Sequence, residues 1–392
     1  MNNYVANFHR QLVEYKERYG SRTGVLSWHV FWFLLRNWFG GTPNFKRLGQ
    51  SVNIGFILSG GMGDIIIAGA YVDKFIKKLD CEYKIYIFVT QPVSSIKQLF
   101  TNLGGNVEIL DCDHIKKSSL DLLIKFMVQF PEIEFCRTKY IGKKSKYLVD
   151  YVNAISDFNN KYKHLFESES IFEQQIFLDI LGLTRVSGMD AAKMVGLHAT
   201  DSLKITVPDS GKGILKNNKL RENNFITFAY SLDIYNKTTQ NIRLLPKDAL
   251  QHIIDSIKEQ YPEYKIVQLG SKSLADFTNV DINLVGKTSF AELLALLSAS
   301  KIHIDAECGM VHLRHALNAK TSVVLYGPTS VSTKGYPENI NIRSNVCDCK
   351  CCEWLMGQHW QSFCIKTNSP VPACMQAISS ETVIQKIKGV LK

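Results

Sequence analysis

Long apolar runs are missing from this sequence. No stretch of about 18 uninterrupted apolar residues occurs, so we expect no membrane-spanning helix. The first residues are polar and lack the apolar core of a secretory signal, which favours a cytoplasmic protein. A disordered chain is excluded as well, because 45% of the 392 residues are hydrophobic and only 21% are charged. A chain of this length can form two cores of ordinary size.

Recognised nucleic-acid-binding modules are also missing. The net charge of +10 at pH 7 indicates acidic partners, such as nucleotides, phosphorylated glycans or anionic lipid. Nucleic acid is the competing interpretation. The basic residues are spread along the chain instead of forming one binding motif, so we expect no nucleic-acid partner.

The most informative segment lies in the C-terminal half, over residues 302–330. An apolar strand runs into an acidic residue and Gly309, a helical pattern opens at once, and a second apolar strand ends in a Gly-Pro turn. Gly309 therefore stands at a helix N-terminus, where free backbone N–H groups and the helix dipole favour a phosphate. This pattern predicts a nucleotide ligand.

Strands and helices alternate on both sides of a polar stretch at residues 208–224, whose glycines indicate flexibility and make it the best linker candidate. A glycine-stopped amphipathic helix is predicted at residues 172–182. The alternation indicates two α/β domains with a cleft between them. We expect an N-terminal domain at residues 51–215 and a C-terminal domain at residues 222–392.

Residues 1–50 are predicted to form an appended helical segment that is aromatic and basic. Within it, residues 26–39 hold three tryptophans and three phenylalanines, and this stretch is too short and too polar to cross a bilayer. It can lie in the membrane interface, or it can pack against the body of the protein or a second subunit. A peripheral membrane contact and a homo-oligomer both remain open.

A glycine turn precedes the first helix of the N-terminal domain. The spacing of Gly60, Gly61 and Gly63 does not give the dinucleotide-binding pattern G-x-G-x-x-G. Asp64 follows at the carboxyl end of a strand, where open α/β sheets bind ligands. Its alternative role is to cap the helix.

Two motifs stand out: the Gly-Met-Gly-Asp turn, and the helix start Glu-Cys-Gly-Met-Val-His with the later Tyr-Gly-Pro-Thr. Together they resemble glycosyltransferase family nine, the bacterial ADP-heptose heptosyltransferases. The resemblance covers about residues 52 to 390. It implies an α/β fold of the GT-B type, with two Rossmann-like domains facing across a cleft. Acceptor is then expected on the N-terminal domain and nucleotide sugar on the C-terminal one.

The resemblance also implies roles for individual residues. Asp64 takes the position of the family's catalytic base, behind Gly61 and Gly63. The helix-start motif, Asp-Thr-Gly-x-x-His in the family, is matched at the donor site by Glu307, Cys308, Gly309, Met310 and His312, with Glu307 and Cys308 as departures.

The family's Lys-x-Trp-Pro element corresponds to Arg243-Leu-Leu-Pro246, so Arg243 replaces the lysine that meets the diphosphate, with Lys237 as a rival. Chemistry supports these assignments, because transfer needs a base for the acceptor hydroxyl and positive groups for the departing diphosphate. His312, one helical turn after Gly309, can reach a phosphate or sugar hydroxyl, although a lone histidine on a helix is more often structural.

Six of the ten cysteines fall between Cys347 and Cys374. Thiolates in a reducing compartment favour a metal over disulfides, with unliganded thiols as the alternative. The arrangement resembles the iron-binding cysteine finger of autotransporter heptosyltransferases, and iron or zinc both suit thiolates. We expect a structural metal site, remote from the chemistry, formed by Cys349, Cys352, Cys364 and Cys374, with Cys347 and Cys351 competing for ligand positions.

The sequence therefore predicts an inverting glycosyltransferase that moves heptose from ADP-heptose onto a surface-glycan or protein acceptor. The basic stretch at residues 137–146 is a solvated loop or a site for a charged acceptor. Another nucleotide sugar in the same cleft is one alternative. A non-catalytic scaffold with the same fold is the other.

Overall fold

A computed structural model describes residues 51–127, 130–161, 190–198, 201–231, 242–344, 364 and 367–391. The predicted extension at residues 1–50, the predicted helix at residues 172–182, and Lys237, Cys349 and Cys352 lie outside these residues. Within the described ranges, no helix is both long and apolar enough to cross a membrane.

The first half of the described chain is an α/β unit with a five-stranded sheet in the order β3-β2-β1-β4-β5. Only the β4–β5 pair is antiparallel. Its elements are β1 (Val52–Leu58), α1 (Met62–Ile76), β2 (Tyr83–Val89), α2 (Val93–Leu99), β3 (Val107–Asp111), β4 (Leu122–Met127), β5 (Phe130–Cys136), α3 (Thr138–Ile141), α4 (Lys146–Lys161) and α5 (Asp190–Val195).

The second half has a six-stranded parallel sheet in the order β11-β10-β9-β6-β7-β8. Its elements are α6 (Asp209–Asn217), β6 (Phe225–Ala229), α7 (Lys247–Gln260), β7 (Lys265–Leu269), β8 (Ile282–Asn283), α8 (Phe290–Ala299), β9 (His303–Ala306), α9 (Gly309–Ala316), β10 (Ser322–Tyr326), α10 (Val331–Lys334), β11 (Ile340–Arg343), α11 (Ala373–Gln376) and α12 (Ser380–Leu391).

Both sheets follow from the apolar runs in the sequence. Parallel strands that helices cover on both faces are buried throughout, and β6 and β10 are buried at every position. In each sheet the strand order reverses next to a central strand, β1 in the first and β6 in the second. Ligands of open α/β sheets bind outside the carboxyl ends of strands at such switch points. The predicted α/β fold with two Rossmann-like sheets is confirmed.

A buried arginine holds α9 in position against the second sheet. Arg314 is 1% exposed, and its guanidinium donates to backbone carbonyls that include those of Leu297, Ser300 and Lys320. Burial lowers the pKa of Arg314 to about 9. Two of these carbonyls lie at the C-terminal end of α8, where the helix dipole favours a cation. Arg314 therefore stabilises the contact between α9 and α8.

The predicted linker at residues 208–224 is wrong in its first part, because residues Asp209–Asn217 form helix α6. The glycine that suggested flexibility is needed for packing. A Cβ at Gly211 would lie 2.1 Å from the carbonyl oxygen of Ala291 in α8. The two helices approach this closely only because Gly211 has no side chain. The predicted division between residues 215 and 222 stays a prediction.

Two glycines of α6 provide a matched test of this packing. We expect Gly211→Ala to lower the free energy of unfolding by about 1–3 kcal/mol, the usual cost of overpacking a tight contact. Gly213 has open space around its Cβ position, so Gly213→Ala should stabilise the helix by about 0.5–1 kcal/mol. Urea unfolding midpoints of the two variants measure the difference. Equal midpoints would contradict the close packing of α6 on α8.

Candidate functional site

Asp64 lies in the first turn of α1, directly after the glycine turn that ends β1. Gly60 in this turn has a φ of +106°, a conformation that side chains rarely allow. Asp64 Oδ2 accepts a hydrogen bond of 2.9 Å from the Gly61 N–H, so the carboxylate caps the helix. Its other oxygen, Oδ1, lies 3.3 Å from Lys334 Nζ. With the side chain 19% exposed, the carboxylate remains accessible from outside.

The N-termini of α1 and α9 meet face to face. A Cβ at Gly63 would lie 2.4 Å from Cδ2 of His312, and a Cβ at Gly309 would lie 3.1 Å from the Cβ of Met62. Both glycines are therefore required for the close approach of the two halves. Since each helix N-terminus carries a partial positive charge, the junction favours a negative ligand.

A cluster of charged and polar side chains surrounds the start of α9. Glu307 Oε1 lies 3.0 Å from His312 Nε2, and Glu307 Oε2 lies 3.5 Å from a terminal nitrogen of Arg243. His312 Nδ1 lies 2.7 Å from the Tyr336 hydroxyl. Because an ionised Glu307 only accepts hydrogen bonds, His312 Nε2 carries a proton and Nδ1 can accept from Tyr336.

The ionisation of Glu307 is set by its neighbours. Burial on its own would raise the pKa of Glu307. The hydrogen bond from His312 and the positive charges of Lys334 and Arg243 outweigh burial and hold the pKa well below its usual range. Glu307 is therefore a carboxylate at neutral pH, as its pairing with Arg243 requires.

Cys308 belongs to a buried polar chain that runs back into the second sheet. Its thiol donates a 2.9 Å hydrogen bond to Asp305, which lies 3.3 Å from His303 Nε2, and His303 Nδ1 lies 3.0 Å from the Thr227 hydroxyl. Burial raises the pKa of Cys308 well above that of an ordinary thiol, and Asp305 raises it further. The backbone N–H groups of Val311 and Met310 act on this pKa in the opposite direction, so the Cys308 side chain lies at the start of α9. Cys308 and Met310 are both half-buried.

Two side chains in this cluster were missed from the sequence, Lys334 and Tyr336. Lys334 ends α10, and its side chain crosses to Asp64 in the other half of the molecule. Neither residue belongs to a glycine motif or a charge pattern. Their place at the site depends on the folding of the segment after the Gly-Pro-Thr turn, which periodicity does not reveal.

The basic stretch at residues 137–146 lies away from Asp64. The Arg137 N–H donates to the Asp121 carbonyl, and the Asp121 N–H donates to the Asn53 carbonyl, so this stretch begins at the amino end of β1. Asp64 follows the carboxyl end of that strand. The stretch therefore lies at the opposite end of β1 from Asp64, and its role as a site for a charged acceptor stays a prediction.

Two of the four predicted metal ligands lie among the described residues, and both are buried, Cys364 at 4% and Cys374 at 3% exposure. Within the described part of the chain, no three His, Cys, Asp or Glu side chains cluster as metal ligands would. A Cβ at Gly327 would lie 3.3 Å from Cys374 Sγ. Gly327 begins the turn that precedes α10, so Cys374 packs against this turn, and the expectation that the metal site is remote from the chemistry stays a prediction.

Comparisons with known proteins fit this geometry. Residues 253–354 match the model of glycosyltransferase family 9 (heptosyltransferase). Heptosyltransferase II from E. coli, an ADP-heptose LPS enzyme, is 12% identical with a TM-score of 0.50, over 87% of this chain and 98% of that one. The family 9 glycosyl transferase of Veillonella parvula is 14% identical with a TM-score of 0.50, over 87% and 97%. No curated protein sequence gave a significant match.

The iron-containing dodecameric glycosyltransferase TibC from enterotoxigenic E. coli is 12% identical with a TM-score of 0.56, over 88% of this chain and 78% of that one. At these identities the structural likeness shows the fold, which is the GT-B architecture expected from the sequence. The matched residues 253–354 include Glu307, His312 and Tyr336 of the cluster at the start of α9, whereas Arg243 lies outside the match. The family match and the shared fold together show a glycosyltransferase, and they support its place in the heptosyltransferase family.

Proposed function

We propose that this chain is an inverting glycosyltransferase that moves heptose from ADP-heptose onto a surface-glycan or protein acceptor. The observation that carries the proposal is the junction itself. A carboxylate from one half, Asp64, pairs with Lys334 of the other half, and its neighbour Gly63 meets His312 of α9, whose partner Glu307 pairs with Arg243. TibC, which shares the fold, has been solved in complex with ADP-D-β-D-heptose.

In the proposed reaction Asp64 accepts the proton of the acceptor hydroxyl as that oxygen attacks the anomeric carbon. The bond between this carbon and the phosphate oxygen breaks, and the nucleoside diphosphate leaves with the bonding electron pair. Arg243 and the N–H groups of Gly309 and Met310 stabilise the negative charge on the diphosphate. His312, fixed by Glu307 and Tyr336, has its ring beside Gly63, where the two halves meet.

A donor panel tests the function directly. Purified protein is incubated with ADP-heptose and with other ADP-, UDP- and GDP-sugars, and nucleotide release is measured together with the mass of any product. Release from ADP-heptose supports the proposal. Release from a different sugar nucleotide would keep the enzyme class and change the donor, which the departures at Glu307 and Cys308 make the main alternative.

Asp64→Asn tests the base. The amide is nearly isosteric and can still accept from the Gly61 N–H, but it cannot take the acceptor proton. We expect transfer to fall by about 10²- to 10⁴-fold, the usual contribution of a general base. Asp73→Asn, which removes an ion pair with Lys77 on the same helix, is the matched control. Near-normal turnover in Asp64→Asn would show that Asp64 is not the base.

Arg243→Ala tests the diphosphate site. Losing hydrogen bonds to a charged group costs about 1.5–3 kcal/mol, so nucleotide affinity should fall by about 10- to 100-fold. Arg243→Lys should recover part of the affinity, because the charge remains and the planar fork does not. Calorimetric titration with ADP measures the affinity of both Arg243 variants, and the exposed Arg221→Ala is the control. Unchanged affinity would move the role to Lys237 or elsewhere.

We also propose that Cys349, Cys352, Cys364 and Cys374 hold one iron or zinc ion. The spacing supports this, as does the burial of Cys364 and Cys374. Elemental analysis should find about one metal per chain, and Cys352→Ser should lose the metal together with thermal stability. Cys112→Ser, a half-buried thiol of the first half, should keep both. Metal-free protein purified without chelators would contradict the site.

A peripheral membrane contact through residues 26–39 and a homo-oligomer complete the proposal. The aromatic composition of that stretch supports the first. The Tyr140 hydroxyl lies 3.5 Å from the Ser51 carbonyl, so the basic residues 137–146 lie beside the amino end of β1. The dodecameric TibC, with the same fold, supports assembly of several copies.

A further inference from the structure

Lys334 is an unusual lysine because it is buried, with only 5% of its surface exposed. Taking an ammonium group out of water is costly unless opposite charges surround it. Lys334 Nζ lies 3.3 Å from Asp64 Oδ1, and its charge also lowers the pKa of Glu307. The lysine is therefore placed between a carboxylate of each half of the molecule.

This ion pair differs from an ordinary surface salt bridge. Surface pairs contribute little because water and salt screen them. Here the side chains of Lys334 and Asp64 are only 6% and 19% exposed, so their attraction is screened much less. The pair joins the last residue of α10, in the second half, to the first turn of α1, in the first half.

The Asp64 carboxylate is held from two directions. Oδ2 accepts from the Gly61 N–H within its own helix turn, and Oδ1 faces Lys334. The first contact caps the helix and exists without the second half. The second contact aligns the carboxylate with the donor half, where the anomeric carbon has to lie. The distance between Asp64 Oδ1 and Lys334 Nζ therefore depends on how the two halves are placed.

The segment that carries Lys334 is itself fixed to the donor site. Two residues further on, the Tyr336 hydroxyl lies 2.7 Å from His312 Nδ1, and His312 contacts Glu307. Tyr336 is 1% exposed and packs with Val324 and Tyr326 of β10. Residues 334–336 thus connect the Glu307 cluster with Asp64 over a very short stretch of chain.

We propose that Lys334 is a positioning residue that holds the Asp64 carboxylate in line with the donor site. The inference rests on the proposed function, in which Asp64 is the base. A displacement of about 1 Å in a reacting group can cost about 10²-fold in rate. Loss of Lys334 should therefore lower the rate of transfer by displacing Asp64. Arg243 and the start of α9 should continue to bind the diphosphate.

Lys334→Met tests this through a split between rate and affinity. At saturating donor and acceptor, kcat should fall by about 10- to 100-fold, as expected for a displaced base. The dissociation constant for ADP, measured by calorimetry, should change by less than about 3-fold, well below the effect of losing a direct charged hydrogen bond. Lys334→Arg should recover part of the rate because it restores the charge.

A double-mutant cycle identifies the partner. If Lys334 acts through Asp64, adding Lys334→Met to Asp64→Asn should lower the residual rate by less than about 3-fold, because interacting residues are not additive. Lys287→Met, which removes an exposed lysine of the same half, should leave both kcat and the ADP affinity unchanged. Melting temperatures show which variants are folded, and Lys334→Gln replaces Lys334→Met if the latter unfolds.

Two results would overturn the inference while the proposed function stands. A full multiplicative loss in the double variant would show that Lys334 acts independently of Asp64. A large loss of ADP affinity with unchanged kcat would make Lys334 a ligand of the diphosphate instead. An inactive wild-type protein across the whole donor panel would overturn the proposed function, and this inference with it.

Discussion

The close contact between the N-termini of α1 and α9 is the constraint on which the site depends. It exists because Gly63 and Gly309 have no side chains, and a Cβ at either position would meet the opposite helix at 2.4 and 3.1 Å, respectively. Each helix start follows the carboxyl end of a parallel strand, where ligands of such sheets bind. The carboxyl ends of the strands of both sheets are thereby brought to one place.

Two positively polarised helix ends facing each other require negative charge between them. Asp64 and Glu307 provide it, and each is matched by a cation, Lys334 and Arg243. The acids and cations are thus paired at the junction, where water is largely excluded and electrostatic interactions are stronger than in water.

Sequence patterns predicted the parts of the structure that are local. Apolar runs gave the strands, and the glycine turns gave the helix starts at Asp64 and Gly309. The helix at Asp209–Asn217 does not follow from its polar, glycine-containing sequence, because Gly211 serves a contact with Ala291, about 80 residues further along the chain. Lys334 was missed for a similar reason, since its partner Asp64 is 270 positions away.

The turn at Gly327 lies between Cys374 and the segment that ends at Lys334. A Cβ on Gly327 would lie 2.3 Å from Met375 Sδ and 3.3 Å from Cys374 Sγ, so the turn fits against α11 only because it begins with glycine. The chain then passes directly into α10, which ends at Lys334. Whatever fixes Cys374 therefore supports the turn that carries Lys334 toward Asp64.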